Sequence, residues 1–325
     1  MRNIEKRTKR ILKTPILAVP ETEECHVQQE HLFKDFMSSV IEQLELQGRS
    51  RCVETYNSAL NSFMKFMAGE KTKLSDITPG LMLHYETYLH NVRGVTKNTS
   101  SFYMRILRAV FNRATEQGLI PDSMPFKFVY TGVDRTIKRA ISLAQIRKIK
   151  MLDLSRKPGL ALARDIFLFS FYTRGMSFVD IAFLMKRDLN CGVLSYCRRK
   201  TGQRLQIKWE KCMDEIVKHY TIPESPYLLP IIKKPGNNER AQYRNAMCTM
   251  NSRLKKIAGM AGLKTPLTMY VARHSWASIA KSRNVPLSVI SEALGHDNEM
   301  TTQIYLASFE NSVIDRANSM ILKLL

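Results

Sequence analysis

Between Leu32 and Gly118, apolar side chains return at steps of three and four residues, the spacing that gathers them on one face of an α-helix. Phe33, Phe36, Met37, Val40, Ile41 and Leu44 make the first stripe, and Gly48 follows where a helix stops. Val53, Tyr56, Leu60, Phe63, Met64 and Met67 make a second, closed by Gly69. Thr78-Pro79 reads as a helix start, with Thr78 as cap and Pro79 in the first turn. Leu81, Tyr85, Tyr88 and Leu89 give that helix its apolar face. A fourth helix opens at Asn98-Thr99, turns Tyr103, Ile106, Leu107, Val110, Phe111 and Ala114 inward, and ends at Gly118. Its other side shows Arg105, Arg108 and Arg113. The pattern predicts a small all-α bundle over residues 31–120.

The periodicity then lapses. Pro121, Pro125 and Gly132, with Arg135, Lys138 and Arg139, mark a linker over 121–141. Ser142 caps the helix that opens a second domain, 142–325. The stretch from Ala163 to Leu189 is mostly apolar and reads as a pair of core helices broken near Arg174-Gly175. Val193, Ser195 and Cys197 alternate with Leu194, Tyr196 and Arg198; Thr201-Gly202 turns the chain, and Leu205 and Ile207 resume the alternation. This is a β-hairpin. Residues 246–261 predict a helix with a basic run (Arg253, Lys255, Lys256), ended by Gly262. Three short helices follow: one from near Thr268, one entered at Pro286 and stopped at Gly295, and one ending in Tyr305. Beyond it, Phe309, Val313, Ala317, Met320 and Leu324 fall at helical steps. The predicted fold is mainly α with a small β-hairpin, in two domains.

Charge changes the picture. The 325 residues carry 50 lysines and arginines against 29 acids, a net charge of +21. Such a surplus points to a polyanion, nucleic acid first. A membrane surface is the rival, but no apolar run has the length of a spanning helix. The first 30 residues form a basic arm (Arg2, Lys6, Arg7, Lys9, Arg10, Lys13) and then a Pro- and Glu-bearing stretch too weakly apolar for a signal peptide. Six scattered cysteines, with no CxxC and no paired metal spacing, fit reduced thiols of a cytoplasmic protein.

Chemistry concentrates in Leu267–Leu306. Arg273 is a bidentate phosphate ligand by residue type. His296 follows directly on the Gly295 helix stop and suits proton transfer or donation to a phosphate oxygen. Tyr305, nine residues on, carries a hydroxyl that can attack phosphorus. Taken singly, each has an ordinary structural explanation; their order and spacing together do not. "ARHSWAS", "LGH" and "TTQIY" resemble the C-terminal signature of the tyrosine recombinase (phage integrase) family, in which H-x-x-R precedes LGH and a tyrosine. Tyr270 stands where that pattern has its first histidine, a variant resembling the subgroup common in Bacteroidetes.

The resemblance implies the rest. The N-terminal bundle is similar to the helical, SAM-like core-binding domain, and the second unit to the α+β catalytic domain; together they would clamp double-stranded DNA, the linker spanning it. Lys97, Asn98, Thr99, Ser100 and Arg105 would touch DNA from the bundle. Lys200, beside the hairpin turn in "KTG", would protonate the leaving 5′-oxygen, and Arg198, Arg199 and Arg204 would grip phosphates. The family's first arginine stands three residues before an acid; here the acid is Asp180 and the residue at that place is Ser177. Arg174, one helical turn earlier, is the expected substitute. Arg174, Lys200, Tyr270, Arg273 and His296 would then hold the phosphate for attack by Tyr305, with no metal, ATP or other cofactor. Homotetramers on paired sites, with the tail docked on a neighbouring protomer, complete the implied picture. A non-cutting DNA-binding protein of the same fold and a type IB topoisomerase-like nicking enzyme are the alternatives.

Overall fold

The computed structural model describes residues 31–69, 71–134, 139–296 and 298–306, with Asn318 and Leu322 from the tail. The basic arm and the amphipathic tail expected to dock on a neighbour therefore lie outside the described residues. The chain divides into two compact units, 1–135 and 136–325.

In the first unit, four helices bury the predicted stripes: α1 (Phe33–Leu46), α2 (Ser50–Phe66), α3 (Pro79–Asn91) and α4 (Lys97–Glu116). Thr78 caps α3 as its residue type predicts, its hydroxyl accepting from the Leu81 amide at 3.2 Å. Phe63 meets Phe33 on one side and Tyr85 on the other edge to face, with ring centroids 5.1 Å apart in both pairs, and the Tyr85 hydroxyl donates to Ser62. The segment after α4 departs from the free linker expected over 121–141. Phe126 and Val129 are buried in the bundle's core, and Ile141 in that of the second unit. Apolar side chains at 126, 129 and 141 tether a stretch whose prolines and glycine suggested only a spacer.

The second unit is built on α6 (Pro158–Tyr172), whose buried Ala163, Ile166, Phe167, Leu168 and Phe169 put it at the centre of the core. α8 (Lys211–Tyr220), α9 (Glu239–Met260) and α10 (Met269–Ser282) pack against it, as does α5 (Leu143–Lys150) behind a Ser142–Gln145 capping box. α9 begins seven residues before the predicted start, because Asn238 caps it and Glu239 receives the Tyr227 hydroxyl at 2.6 Å. α7 (Phe178–Ala182) follows the tight break at Arg174-Gly175. The hairpin is present as β2 (Val193–Cys197) and β3 (Arg204–Lys208), with Leu194 opposite Ile207 and Cys197 opposite Arg204. A two-residue strand, β1 (Leu189–Asn190), extends it to an antiparallel sheet of order β1-β2-β3; so short a strand has no alternation to read. α11 (Leu287–Leu294) and α12 (Glu299–Leu306) join α10 around Ala277, Ile290, Leu294 and Leu306.

Candidate active site

α10 carries Arg273 on its buried face, only 5% exposed. Its guanidinium donates to the Gly175 carbonyl at 3.0 Å, the Leu294 carbonyl at 2.5 Å and Nε2 of His296 at 3.1 Å. Arginine has no acceptor, so in this geometry Nε2 is the accepting nitrogen. The ring proton is then on Nδ1, which donates to the Thr302 hydroxyl at 2.7 Å. α11 ends at Gly295, which takes the left-handed conformation (φ 63°) and leaves its last carbonyls without helical partners. Leu294 gives its carbonyl to Arg273, and Gly295 gives its own to Arg198. Cationic groups suit that end of a helix on electrostatic grounds.

The hairpin tip is held from below. Asp180, 4% exposed, accepts the Ser177 hydroxyl at 2.6 Å with one oxygen and the Arg199 amide at 2.8 Å with the other. The Arg199 guanidinium lies 4.0 Å over the Phe183 ring. Between these anchors and Gly202 (φ 75°), Lys200 is exposed at the turn. Asp180 was legible in the sequence as the motif's acid, but its grip on the amide beside Lys200 requires the fold.

α12 places position 305 in the same neighbourhood. Thr302, one turn earlier and fully buried, holds His296, and Lys281 on α10 donates to the Leu306 carbonyl at 3.1 Å. The helix that bears Tyr305 is thus fastened by its own chain on both sides of that residue. Tyr270, 56% exposed in the first turn of α10, sets its ring edge-on against His274 at 4.5 Å.

Several expected contacts with DNA are engaged otherwise. Arg198 is 7% exposed and ties the hairpin to the Gly295 carbonyl, so unlike Arg199 and Arg204 it is not on the exposed face of the hairpin. Lys97 pairs with Asp134 at 3.7 Å and covers the Tyr130 ring at 4.1 Å, while Asn98 exchanges two hydrogen bonds with the Asp134 backbone. Both hold the exit of the first unit. Ser100 is fully buried against His90. Thr99 shares a 3.0 Å contact with the Thr96 hydroxyl, whereas Arg105, Arg199 and Arg204 are exposed as their proposed roles require. Arg174 sits on left-handed backbone (φ 60°) and donates to the Gln206 carbonyl at 3.3 Å. Ser177 caps α7. Among the described residues no three His, Cys, Asp or Glu side chains gather as metal ligands, and no helix is long and apolar enough to cross a membrane.

Two family models match the chain: the phage integrase SAM-like domain over residues 32–129, and the phage integrase family over 199–312. Tyrosine recombinase XerD of Listeria innocua is 22% identical over 295 residues, covering 84% of this chain and 93% of that protein. Tyrosine recombinase XerA of Pyrococcus furiosus is 23% identical over 298 residues, covering 88% and 96%. The chain belongs to the tyrosine recombinase family. Site-specific DNA recombination is the activity that goes with that membership, and the enzyme is a DNA strand transferase. In fold the recombinase resembles lambda integrase bound as a dimer to a COC′ core site (TM-score 0.66, 14% identity, 86% of this chain and 78% of that one). It also resembles XerH bound to a palindromic difH substrate in a post-cleavage complex (TM-score 0.63, 17% identity, 86% and 84%).

Proposed function

We propose that this recombinase cuts and rejoins duplex DNA through a 3′-phosphotyrosine formed by Tyr305. The observation that carries the reading is the chain of contacts Arg273–His296–Thr302, which fastens a guanidinium and an imidazole to the helix that bears the nucleophile. Arg273 meets the charge that grows on the phosphate oxygens, and His296 donates once its Nε2 is protonated. Tyr270, at the head of the same helix, offers a hydroxyl at the exposed edge of the site. Lys200, presented by a hairpin that Asp180 holds in place, protonates the departing 5′-oxygen. The phosphodiester energy is kept in the tyrosyl ester, so strand exchange proceeds without ATP, and guanidinium and ammonium groups supply the charge that a metal would otherwise bring.

Four protomers acting on paired sites, with the tail of each docked on its neighbour, complete the proposal, and the net charge of +21 suits cytoplasmic work on chromosomal or mobile-element DNA. A fold that binds DNA without cutting draws support from Ser177 at the first-motif place. One experiment separates the two. On a nicked suicide site the wild-type protein should trap a covalent protein–DNA adduct, and Tyr305→Phe should bind equally and trap none. Binding without any wild-type adduct would establish the non-cutting reading.

A further inference from the structure

Ser177 leaves the site one guanidinium short, because its hydroxyl caps α7 and bonds Asp180. A phosphate that gains negative charge on its oxygens is best met by more than one fork of N–H donors. Arg174, the substitute expected from the sequence, directs its Nη1 to the Gln206 carbonyl on β3.

Arg198 is placed differently. It leaves β2 at the hairpin tip, is 7% exposed, and binds the Gly295 carbonyl, the one that follows the Leu294 carbonyl bound by Arg273. Two guanidiniums therefore close on consecutive carbonyls at the end of α11, directly before His296. The contact is tight: a Cβ on Gly295 would lie 2.6 Å from Cδ of Arg198. Among the described residues Arg198 is in no ion pair, and its buried Nε has no hydrogen-bond acceptor. The neighbouring Gln203 Oε1 is also without a partner, so the two do not satisfy each other. A buried cation with an unmet donor and no ion-pair partner of its own is an unfavourable arrangement in a finished core. It is a favourable one where an anion will arrive. Burial, and after it the Asp180 charge, push the Tyr196 hydroxyl pKa up, while Arg273, Arg198 and Arg174 pull against that rise, so three guanidiniums and one carboxylate act on one buried ring two residues before Arg198.

We infer that Arg198 supplies the second guanidinium on the scissile phosphate, in place of the arginine that Ser177 replaces. The inference rests on the recombinase reading.

Single-turnover cleavage on two otherwise identical suicide sites tests it, one with the natural scissile phosphate and one with an uncharged methylphosphonate there. A guanidinium that neutralises a phosphate oxygen is needed on the first and largely dispensable on the second. Arg198→Ala should slow adduct formation on the phosphate by on the order of 10²–10³-fold and regain most of that on the methylphosphonate. Arg198→Lys should rescue poorly on the phosphate, since an ammonium offers no fork. Arg273→Ala serves as the positive comparison. Equal loss by Arg198→Ala on both substrates, with a lowered melting temperature, would make it only a tie for Gly295 and overturn the inference. Rescue confined to Arg174→Ala would also overturn it, in favour of Arg174. Failure of the wild-type protein to form an adduct on either site would instead sink the recombinase reading.

Discussion

Gly175 lies tight against Arg273: its carbonyl accepts from the Arg273 guanidinium at 3.0 Å, and a Cβ at residue 175 would lie 2.7 Å from the Arg273 Cα. Gly175 also takes φ 75°, where a side chain is strained. Gly175→Ala should therefore push α10 away and misplace its arginine. The expected results are a stability loss above about 1 kcal/mol in urea unfolding and a larger fall in cleavage than in DNA binding. Wild-type cleavage would show that the break between α6 and α7 tolerates the shift.

Thr302 links His296 to α12 through a 2.7 Å hydrogen bond. Thr302→Val keeps shape in a fully buried position and removes the hydroxyl. Cleavage should fall roughly tenfold, in keeping with a hydrogen bond worth about 1.4 kcal/mol, with folding little changed. An unaltered single-turnover rate would release Thr302 from this role.

Lys200→Ala should slow cleavage by about 10²–10⁴-fold, the usual share of a general acid. Replacing the 5′-bridging oxygen of the scissile phosphate with sulfur supplies a leaving group that departs as thiolate and needs no proton. That substrate should restore the variant nearly to the wild-type rate. A defect that persists with sulfur would place Lys200 in DNA binding.

Binding should weaken linearly in log salt, with a slope of about −0.9 per phosphate neutralised. Arg105, exposed on α4, should account for one such contact. Arg105→Ala should make the slope shallower by about one, measured by fluorescence anisotropy at several salt concentrations. An unchanged slope would remove Arg105 from the interface.

Acid should loosen the start of α9. Hydrogen bonds from the Tyr227 hydroxyl, first, and from the Gly236 amide hold the Glu239 carboxyl below its ordinary range, and burial with its bond to Glu239 pushes Tyr227 up to about 12. A carboxyl whose pKa is depressed on folding stabilises the fold above its unfolded value, near 4.3, and that contribution is lost as pH falls through the depressed folded value. Glu239→Gln should flatten the decline in urea midpoint below about pH 4. An identical decline in both proteins would show that other carboxylates carry it.

Local pattern was enough for most of the elements. Stripes at three- and four-residue spacing, the Thr78 and Ser142 caps, the Gly295 stop and the alternation of Val193–Cys197 are properties of neighbouring residues, and the helices and hairpin follow from them. The signature around Arg273, His296 and Tyr305 was legible for the same reason, since the three lie within one continuous stretch. What the tertiary structure alone decided are pairings between distant segments. In the sequence Lys97 and Asn98 read as polar groups reaching for DNA and Arg198 as a hairpin grip on phosphate; only the fold brings Asp134 to the first two and the Gly295 carbonyl to the third. A guanidinium has the same side chain whether it ends in solvent or against a carbonyl nearly a hundred residues away. Burial and partner, which decide its role, arise only when α6, α10, α11 and the hairpin are brought together.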